Sequence, residues 1–233
     1  MAYVGGKSKN ADHIIEILNN KKYDNMNYLE PFVGYCHILR RVTNKKSYNA
    51  SDANPLLITL LNGIQDGTKY NNIHITKDQY ERLKTNNNDN SFKRALAAFA
   101  YSYNGKLWGG YTLSSSTRDN YPQERKRYYD LLSTNDTFNK TKLSCRDFST
   151  LNPKNKLIYC DPPYKGTTGY GESFDTELFW NTMRKWSKNN VVYISEYSAP
   201  KDFKCVAKSK KYNSLNGKGA GKVVFEKVYT MRQ

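Results

Sequence analysis

The sequence predicts an α/β protein with a mostly parallel sheet of about seven strands and a mainly helical insertion. Short apolar strands alternate with amphipathic helices, an order typical of parallel sheets whose connections cross over as helices. A glycine turn, Phe32-Val33-Gly34, follows one strand, and the rigid sequence Asp161-Pro162-Pro163-Tyr164 ends another. Ligands bind at the carboxyl ends of the strands in such sheets. Both features therefore lie where a site is expected.

The first half of the predicted sheet has the order strand, glycine turn, helix, strand and acid. Asn27–Gly34 contains the first strand and its turn, and Ile38–Val42 is predicted to begin a helix. Lys46–Asp52 is the second strand, and its terminal acid lies about 20 residues beyond the glycine, the spacing at which an acid accepts from a ribose hydroxyl. Helices are predicted on either side, over Ala11–Asn19 and Asn54–Ile64.

From about Thr68 to Thr141 the apolar residues thin out, and this stretch is the predicted insertion. A helix over Phe92–Tyr103 leads into a loop rich in glycine and aromatic residues, Tyr101–Tyr111. Glycine permits close backbone approach, aromatic rings can stack or wedge, and cations meet phosphates. The candidate DNA contacts are Asn104, Lys106, Trp108, Tyr111 and Arg118. A solvated helical hairpin with a flexible loop is the competing interpretation.

The second half returns to strands and helices. Lys142–Cys145 is the third predicted strand and is followed by Asp147-Phe148; Lys156–Cys160 is the central strand that leads into Asp161. A helix over Phe174–Lys188 and a buried strand over Asn190–Ser195 follow, and the last strands are predicted near Phe203–Ala207 and at Lys222–Tyr229.

Composition indicates a polyanionic partner. Lys and Arg total 37 against 21 Asp and Glu, which gives a formal net charge of +16. Nucleic acid is the usual partner of such a charge, and the 14% aromatic content suits base stacking, although an AT-rich genome also enriches Lys, Asn and Tyr. The four cysteines are widely spaced, so no metal site is predicted. No apolar run approaches the length of a membrane span, which predicts a soluble, intracellular (cytoplasmic) protein without a membrane partner.

The ordered motifs resemble those of the Dam-like D12 class of DNA adenine-N6 methyltransferases. They are Tyr3-x-Gly-Gly-Lys7, Glu30-Pro31-Phe32-x-Gly34, Asp52, Asp147-Phe148 and Asp161-Pro162-Pro163-Tyr164. The resemblance implies a Rossmann-like S-adenosylmethionine-dependent methyltransferase fold. Residues 1–66 and 142–233 would form the catalytic domain, and residues 67–141 the inserted DNA-recognition domain.

The resemblance also assigns roles to individual residues. It implies S-adenosylmethionine as cofactor, held by Tyr3, Gly6, Lys7, Glu30, Pro31, Phe32, Gly34, Asp52, Asp147, Phe148 and Asp161. The implied catalytic residues are Asp161, Pro162, Pro163 and Tyr164, which would grip the amino group of an adenine flipped out of the duplex. Double-stranded DNA is the implied substrate, a cognate restriction endonuclease a further partner, and a monomer or weak dimer the expected state.

One departure from the family pattern lies directly after Gly34. Family members usually carry a further glycine there, whereas this chain has Tyr35-Cys36-His37. Either the turn stays within ordinary backbone conformations or cofactor binding is weakened. This departure leaves a catalytically impaired DNA-binding module as one alternative. The pocket residues would also serve cytosine-N4 or an RNA amino group as the target.

Overall fold

The structure, a computed structural model, describes residues 11–112, 121–163, 174–213 and 222–232. Within these ranges one sheet contains seven strands. They are β1 (Asn27–Glu30), β2 (Ser47–Asp52), β3 (Thr141–Cys145), β4 (Lys156–Cys160), β5 (Val191–Glu196), β6 (Phe203–Asn213) and β7 (Lys222–Met231). The predicted fold class is confirmed.

The order of the strands across the sheet is β3-β2-β1-β4-β5-β7-β6. The first five are parallel, and β7 runs antiparallel between β5 and β6. Leu29 of β1 lies beside Asn49 of β2 on one side and Ile158 of β4 on the other. The strand order therefore reverses between β1 and β4, which is where an open α/β sheet forms its ligand crevice.

Seven α-helices lie in the described residues: α1 (Asp12–Leu18), α2 (Pro55–Gln65), α3 (Lys77–Thr85), α4 (Phe92–Ala100), α5 (Tyr121–Ser133), α6 (Asp136–Asn139) and α7 (Thr176–Ser187). Local sequence explains their ends. The Asn54 side chain accepts from the Leu57 N–H and Pro55 opens α2, while Asp175 caps α7 in the same way through the Leu178 N–H. In the part of the chain that the structure describes, no helix combines the length and apolar character of a membrane span.

Two sequence predictions need correction. The helix predicted to begin at Ile38 is wrong, because the segment forms only a single 3-10 turn, Leu39–Arg41. Cys36 and Asn44 flank this turn with φ values of 59° and 58°, which an α-helix cannot include. β6 is longer than predicted: it extends beyond Ala207 to Asn213, because its backbone continues to pair with β7.

The helices α3 to α5 share their hydrophobic core with the sheet. Tyr28 and Tyr159 of the sheet belong to the same buried cluster as Tyr80, Phe99 and Tyr129 of these helices. Two buried arginines satisfy carbonyls at the C-termini of helices. Arg94 donates to the Leu83 carbonyl of α3, and Arg125 donates to the Phe99 and Ala100 carbonyls of α4. The division into a catalytic domain and an insertion over 67–141 stays a prediction.

Candidate active site

Carboxylates gather at the carboxyl edge of the sheet. They end or follow the five parallel strands: Glu30, Asp52, Asp147, Asp161 and Glu196. Carboxyl ends of parallel strands lie at one edge, so the fold brings together acids that are far apart in sequence. Glu30 and Asp161 flank the point where the strand order reverses.

Glu30 is buried, with 2% of its surface exposed. The Tyr28 hydroxyl donates to Glu30 Oε2 at 2.7 Å. Burial raises the pKa of Glu30 well above its ordinary value; the Tyr28 hydrogen bond opposes this shift and the charge of Asp161 adds to it. Glu30 and Asp161 therefore interact through space, as residues of one site would.

Asp161 is half-buried at the end of a fully buried strand, and Pro162 after it is buried. Burial raises the pKa of Tyr159 and of Cys160 well above their ordinary values, and the charge of Asp161 raises both further. The strand is fixed laterally by a hydrogen bond of 2.7 Å between the Tyr159 hydroxyl and Ser195 Oγ on β5. The predicted catalytic residues Asp161 to Pro163 thus directly follow a strand that is buried and hydrogen-bonded to its neighbour, while Tyr164 lies outside the described residues.

The glycine turn and Asp52 are joined directly. Gly34, whose φ is 48°, donates its N–H to Asp52 Oδ2 at 3.2 Å, and the Asn54 N–H donates to Oδ1 at 3.0 Å. Burial raises the pKa of Asp52, and these backbone hydrogen bonds oppose the shift. A carboxylate can accept about four hydrogen bonds, so Asp52 keeps acceptor capacity for a hydroxyl beside the turn.

The turn leaves ordinary backbone space at Cys36, which is fully buried and takes a φ of 59°. The alternative that Tyr35-Cys36-His37 avoids the left-handed region is therefore wrong at Cys36. For a residue other than glycine, this conformation costs on the order of 1 kcal/mol or more.

Bulky neighbours hold the strained turn in place. The Tyr35 ring packs edge-on against Phe99 of α4, with centroids 5.7 Å apart. The Tyr128 hydroxyl of α5 donates to the Tyr35 carbonyl at 2.6 Å and lies 3.0 Å from His37 Nδ1. The residues that replace glycine thus tie the turn to the helices that follow α2.

An aromatic cluster lines the same edge. The rings of Phe32 and Phe148 lie 5.2 Å apart, and both contact Phe174 and Phe179 near the start of α7. Phe32 and Phe148 are both predicted cofactor residues, and the structure brings them together. Phe174 was missed as a site residue, although its place at the start of an amphipathic helix after Asp161 was a usable signal.

The remaining predicted cofactor residues differ in exposure. Pro31 is buried between Glu30 and Phe32, whereas Asp147 is exposed and accepts from the Ser149 N–H at 2.9 Å. Tyr3, Gly6 and Lys7 lie outside the described residues.

The predicted DNA contacts of the insertion are partly used in packing. Trp108, with a φ of 50°, lies edge-on to Tyr80 and under the Arg94 guanidinium, and Tyr111 stacks on Tyr101. Asn104 and Lys106 are half-buried, whereas Tyr103 and Leu107, which were not predicted, are 52% and 37% exposed. Arg118 lies outside the described residues.

This geometry agrees with the motifs that a family comparison matches. The family model described as D12 class N6 adenine-specific DNA methyltransferase matches residues 3–217 of the chain. The chain belongs to this family. Family and fold together make the protein a methyltransferase, and they imply S-adenosylmethionine as methyl donor.

Solved structures that resemble this D12 family member are distant. The rRNA methyltransferase aviRa from Streptomyces viridochromogenes is 10% identical, with 99% of this chain and 86% of that chain covered and a TM-score of 0.44. An rRNA methylase from Streptococcus thermophilus is 10% identical, with 97% and 98% covered and a TM-score of 0.42. A protein from Thermoplasma acidophilum is 10% identical, with 94% and 85% covered and a TM-score of 0.46. No curated protein sequence matched the chain.

The donor set at the carboxyl edge fits S-adenosylmethionine, which carries a sulfonium cation, ribose hydroxyls and a flat adenine. Glu30, Asp52 and Asp161 supply carboxyl oxygens, and Phe32 and Phe148 supply apolar ring surface. Within the described residues, His, Cys, Asp and Glu side chains form no group of three or more that would suit a metal ion.

Proposed function

We propose that the protein is a site-specific DNA methyltransferase that transfers a methyl group to the N6 amino group of a flipped-out adenine in duplex DNA. One observation carries the proposal: Asp161-Pro162-Pro163 follows the buried central strand β4 beside Glu30, where the strand order reverses. Membership of the D12 class supports adenine N6 as the target.

The chemistry explains why an acid and a proline carbonyl suit this position. The exocyclic amine of adenine is a weak nucleophile because its lone pair is delocalised into the ring. In the proposal the Asp161 carboxylate and the Pro162 carbonyl each accept a hydrogen bond from one N–H of the amine. These bonds localise the lone pair on nitrogen and direct it out of the ring plane. Positioning and electrostatic stabilisation then account for most of the rate enhancement.

S-adenosylmethionine, when bound, supplies an electrophilic methyl group on a sulfonium sulfur. Asp52 and the Gly34 turn would hold its ribose, and Phe148 with Phe32 its adenine, as the family motifs imply. Asp161 would also hold the proton that the amine loses after transfer. Tyr164 remains the predicted stacking partner of the flipped base, and stacking of this kind contributes roughly 1–3 kcal/mol.

The test is transfer of a tritiated methyl group from S-adenosylmethionine to unmethylated duplex DNA, with matched RNA in parallel, followed by nucleoside digestion and chromatography. Label in N6-methyladenine from DNA is the expected result. Label in N4-methylcytosine, or label on RNA alone, would still demonstrate methyltransferase activity but would overturn the proposed substrate. Absence of label from folded protein that binds DNA would favour an impaired DNA-binding module.

A further inference from the structure

The last two strands extend beyond the sheet at its carboxyl edge. β7 pairs with β5 only from Lys227 to Tyr229, opposite Glu196 to Ile194, whereas its pairing with β6 continues to Lys222 opposite Asn213. Residues 209–213 and 222–226 therefore form a two-stranded ribbon past the end of β5. Five residues at about 3.4 Å each make the ribbon about 17 Å long. Since β5 lies beside β4, the ribbon projects next to Asp161.

The two faces of the ribbon differ. Opposed residues of antiparallel strands lie on the same face, so Lys208 shares a face with Lys227, and Phe225, two residues before Lys227, lies on that face too. On the other face Glu226 and Val228 are buried, with 1% and 0% of their surface exposed. On the first face Lys208 is exposed and Phe225 is 46% exposed. This outward face thus combines cations with an exposed aromatic ring.

The arrangement is unfavourable in the isolated protein. Like charges directly opposite each other in a sheet are destabilising, and Lys208 and Lys227 are such a pair. Glu196 lies opposite Lys227 on β5, but no ion pair joins Lys208 to a carboxylate of the described residues. An exposed phenylalanine beside a lysine that has no ion pair within the described residues suits an anionic, ring-containing partner.

The carboxyl edge requires such a surface if its substrate is DNA. Asp161 and Glu196, which are only half-buried, repel phosphates from the edge where the reaction is proposed to take place. Lys208 and Lys227, which lie level with Glu196 at this edge, can hold the sugar-phosphate backbone while leaving room for a base at Asp161.

We infer that Lys208 and Lys227 at the base of the ribbon, together with Phe225 on its outward face, bind the sugar-phosphate backbone of duplex DNA beside the catalytic edge. The inference rests on the proposed function and adds a contact surface outside residues 67–141. Lysine contacts to phosphates carry no sequence information. The ribbon therefore contributes affinity and orientation, and target sequence is read elsewhere.

The experiment measures binding of several unrelated fluorescent duplexes by anisotropy across a salt series, with the full-length protein. Lys208→Gln is compared with Lys142→Gln, which removes the same charge from an exposed lysine at the opposite end of the sheet. We expect Lys208→Gln to weaken binding about threefold to tenfold for every duplex and to lower the salt slope by about 1, whereas Lys142→Gln leaves the slope unchanged. Phe225→Ala should weaken binding without changing the slope.

Two controls distinguish a lost DNA contact from a change in the active site or from aggregation. S-adenosylmethionine affinity should be unchanged in all three variants, and so should the rate at saturating DNA. Lysines on an edge strand also discourage pairing between copies, so light scattering on each variant checks that the loss of binding is not aggregation. If wild-type protein methylates DNA and Lys208→Gln keeps the wild-type slope, only the ribbon is overturned. Wild-type protein that neither binds nor methylates duplex DNA would overturn the proposed function as well.

Discussion

The five parallel strands finish in or just before carboxylates at one end of the sheet, and at the other end lysines precede or open three of them, β2, β3 and β4. At the carboxyl end, Glu30, Asp52 and Asp161 surround the turn and the central strand. At the amino end an open cleft of about 500 Å³ is lined by Lys45, Lys46, Lys140, Lys142 and Lys156 together with Asn27, Ser47, Tyr48 and Asn49. The protein has a net charge of +16, yet its candidate chemistry lies at the acidic end.

Helix direction explains much of this difference. Helices that connect parallel strands run antiparallel to them, so their carbonyl-rich C-termini lie at the amino end of the sheet, where cations stabilise them. Arg184 and Lys185 in the last turn of α7, and Lys140 directly after α6, occupy such positions. Net charge therefore indicates the kind of partner but does not locate where the partner binds.

The largest expected effect tests the acidic end at its centre. Asp161→Ala removes the proposed acceptor of an amine hydrogen, so we expect methyl transfer to fall by at least about 100-fold. S-adenosylmethionine affinity, measured by calorimetry, should change much less. Asp66→Ala removes an exposed acid just beyond α2 and should leave transfer intact. Near-normal turnover of the Asp161 variant would show that the chemistry lies elsewhere.

Residues at the carboxyl end should also determine how the free energy of unfolding changes with pH in the acid range. Burial, with help from Arg40, lowers the pKa of His37 from 6.5 to about 4. Because the unfolded chain takes up this proton first, His37 contributes stability above pH 6.5 that is lost as pH falls towards 4, by up to about 3 kcal/mol. The raised pKa values of Glu30 and Asp52 act in the opposite sense, since their protonation at low pH favours the folded state.

Urea unfolding from pH 7 to pH 4 measures this contribution. His37→Gln should lose less stability over that range than the wild type, and the difference isolates His37 from the carboxyls. His74→Gln, at an exposed histidine, is the matched control and should follow the wild-type curve. Parallel curves for His37→Gln and the wild type would contradict the assignment.

A smaller effect is expected at the link between the turn and β2. Asp52→Asn replaces a charged acceptor that holds the Gly34 N–H with a neutral amide, and we expect S-adenosylmethionine affinity to fall about tenfold. Asp24→Asn makes the same change near the amino end, where Asp24 lies 3.8 Å from Lys45 Nζ, and should leave cofactor affinity unchanged. Equal losses in both variants would indicate a general effect on stability.

Much of the sheet was predictable from the sequence, because each parallel strand is a short apolar run bounded by polar residues. The acids of the candidate site were predictable for the same reason, since strand ends position them whatever the details of packing. The left-handed Cys36 was not, because it depends on contacts of the turn with Phe99 and Tyr128, which are far away in the chain. Trp108 and Tyr111 show the reverse difficulty: composition indicated a binding surface, but their rings also pack on Tyr80 and Tyr101.

The contacts of Tyr35 and His37 limit how relatives of this protein can exchange parts. The Tyr35 ring needs Phe99, and its carbonyl and the His37 ring need the Tyr128 hydroxyl, so the turn is shaped by residues inside the 67–141 segment. A chimaera that received this segment from a relative with a glycine turn would leave Cys36 strained without the partners that hold it. A recombination that exchanges this segment therefore has to carry the turn and the helices together, as one heritable unit.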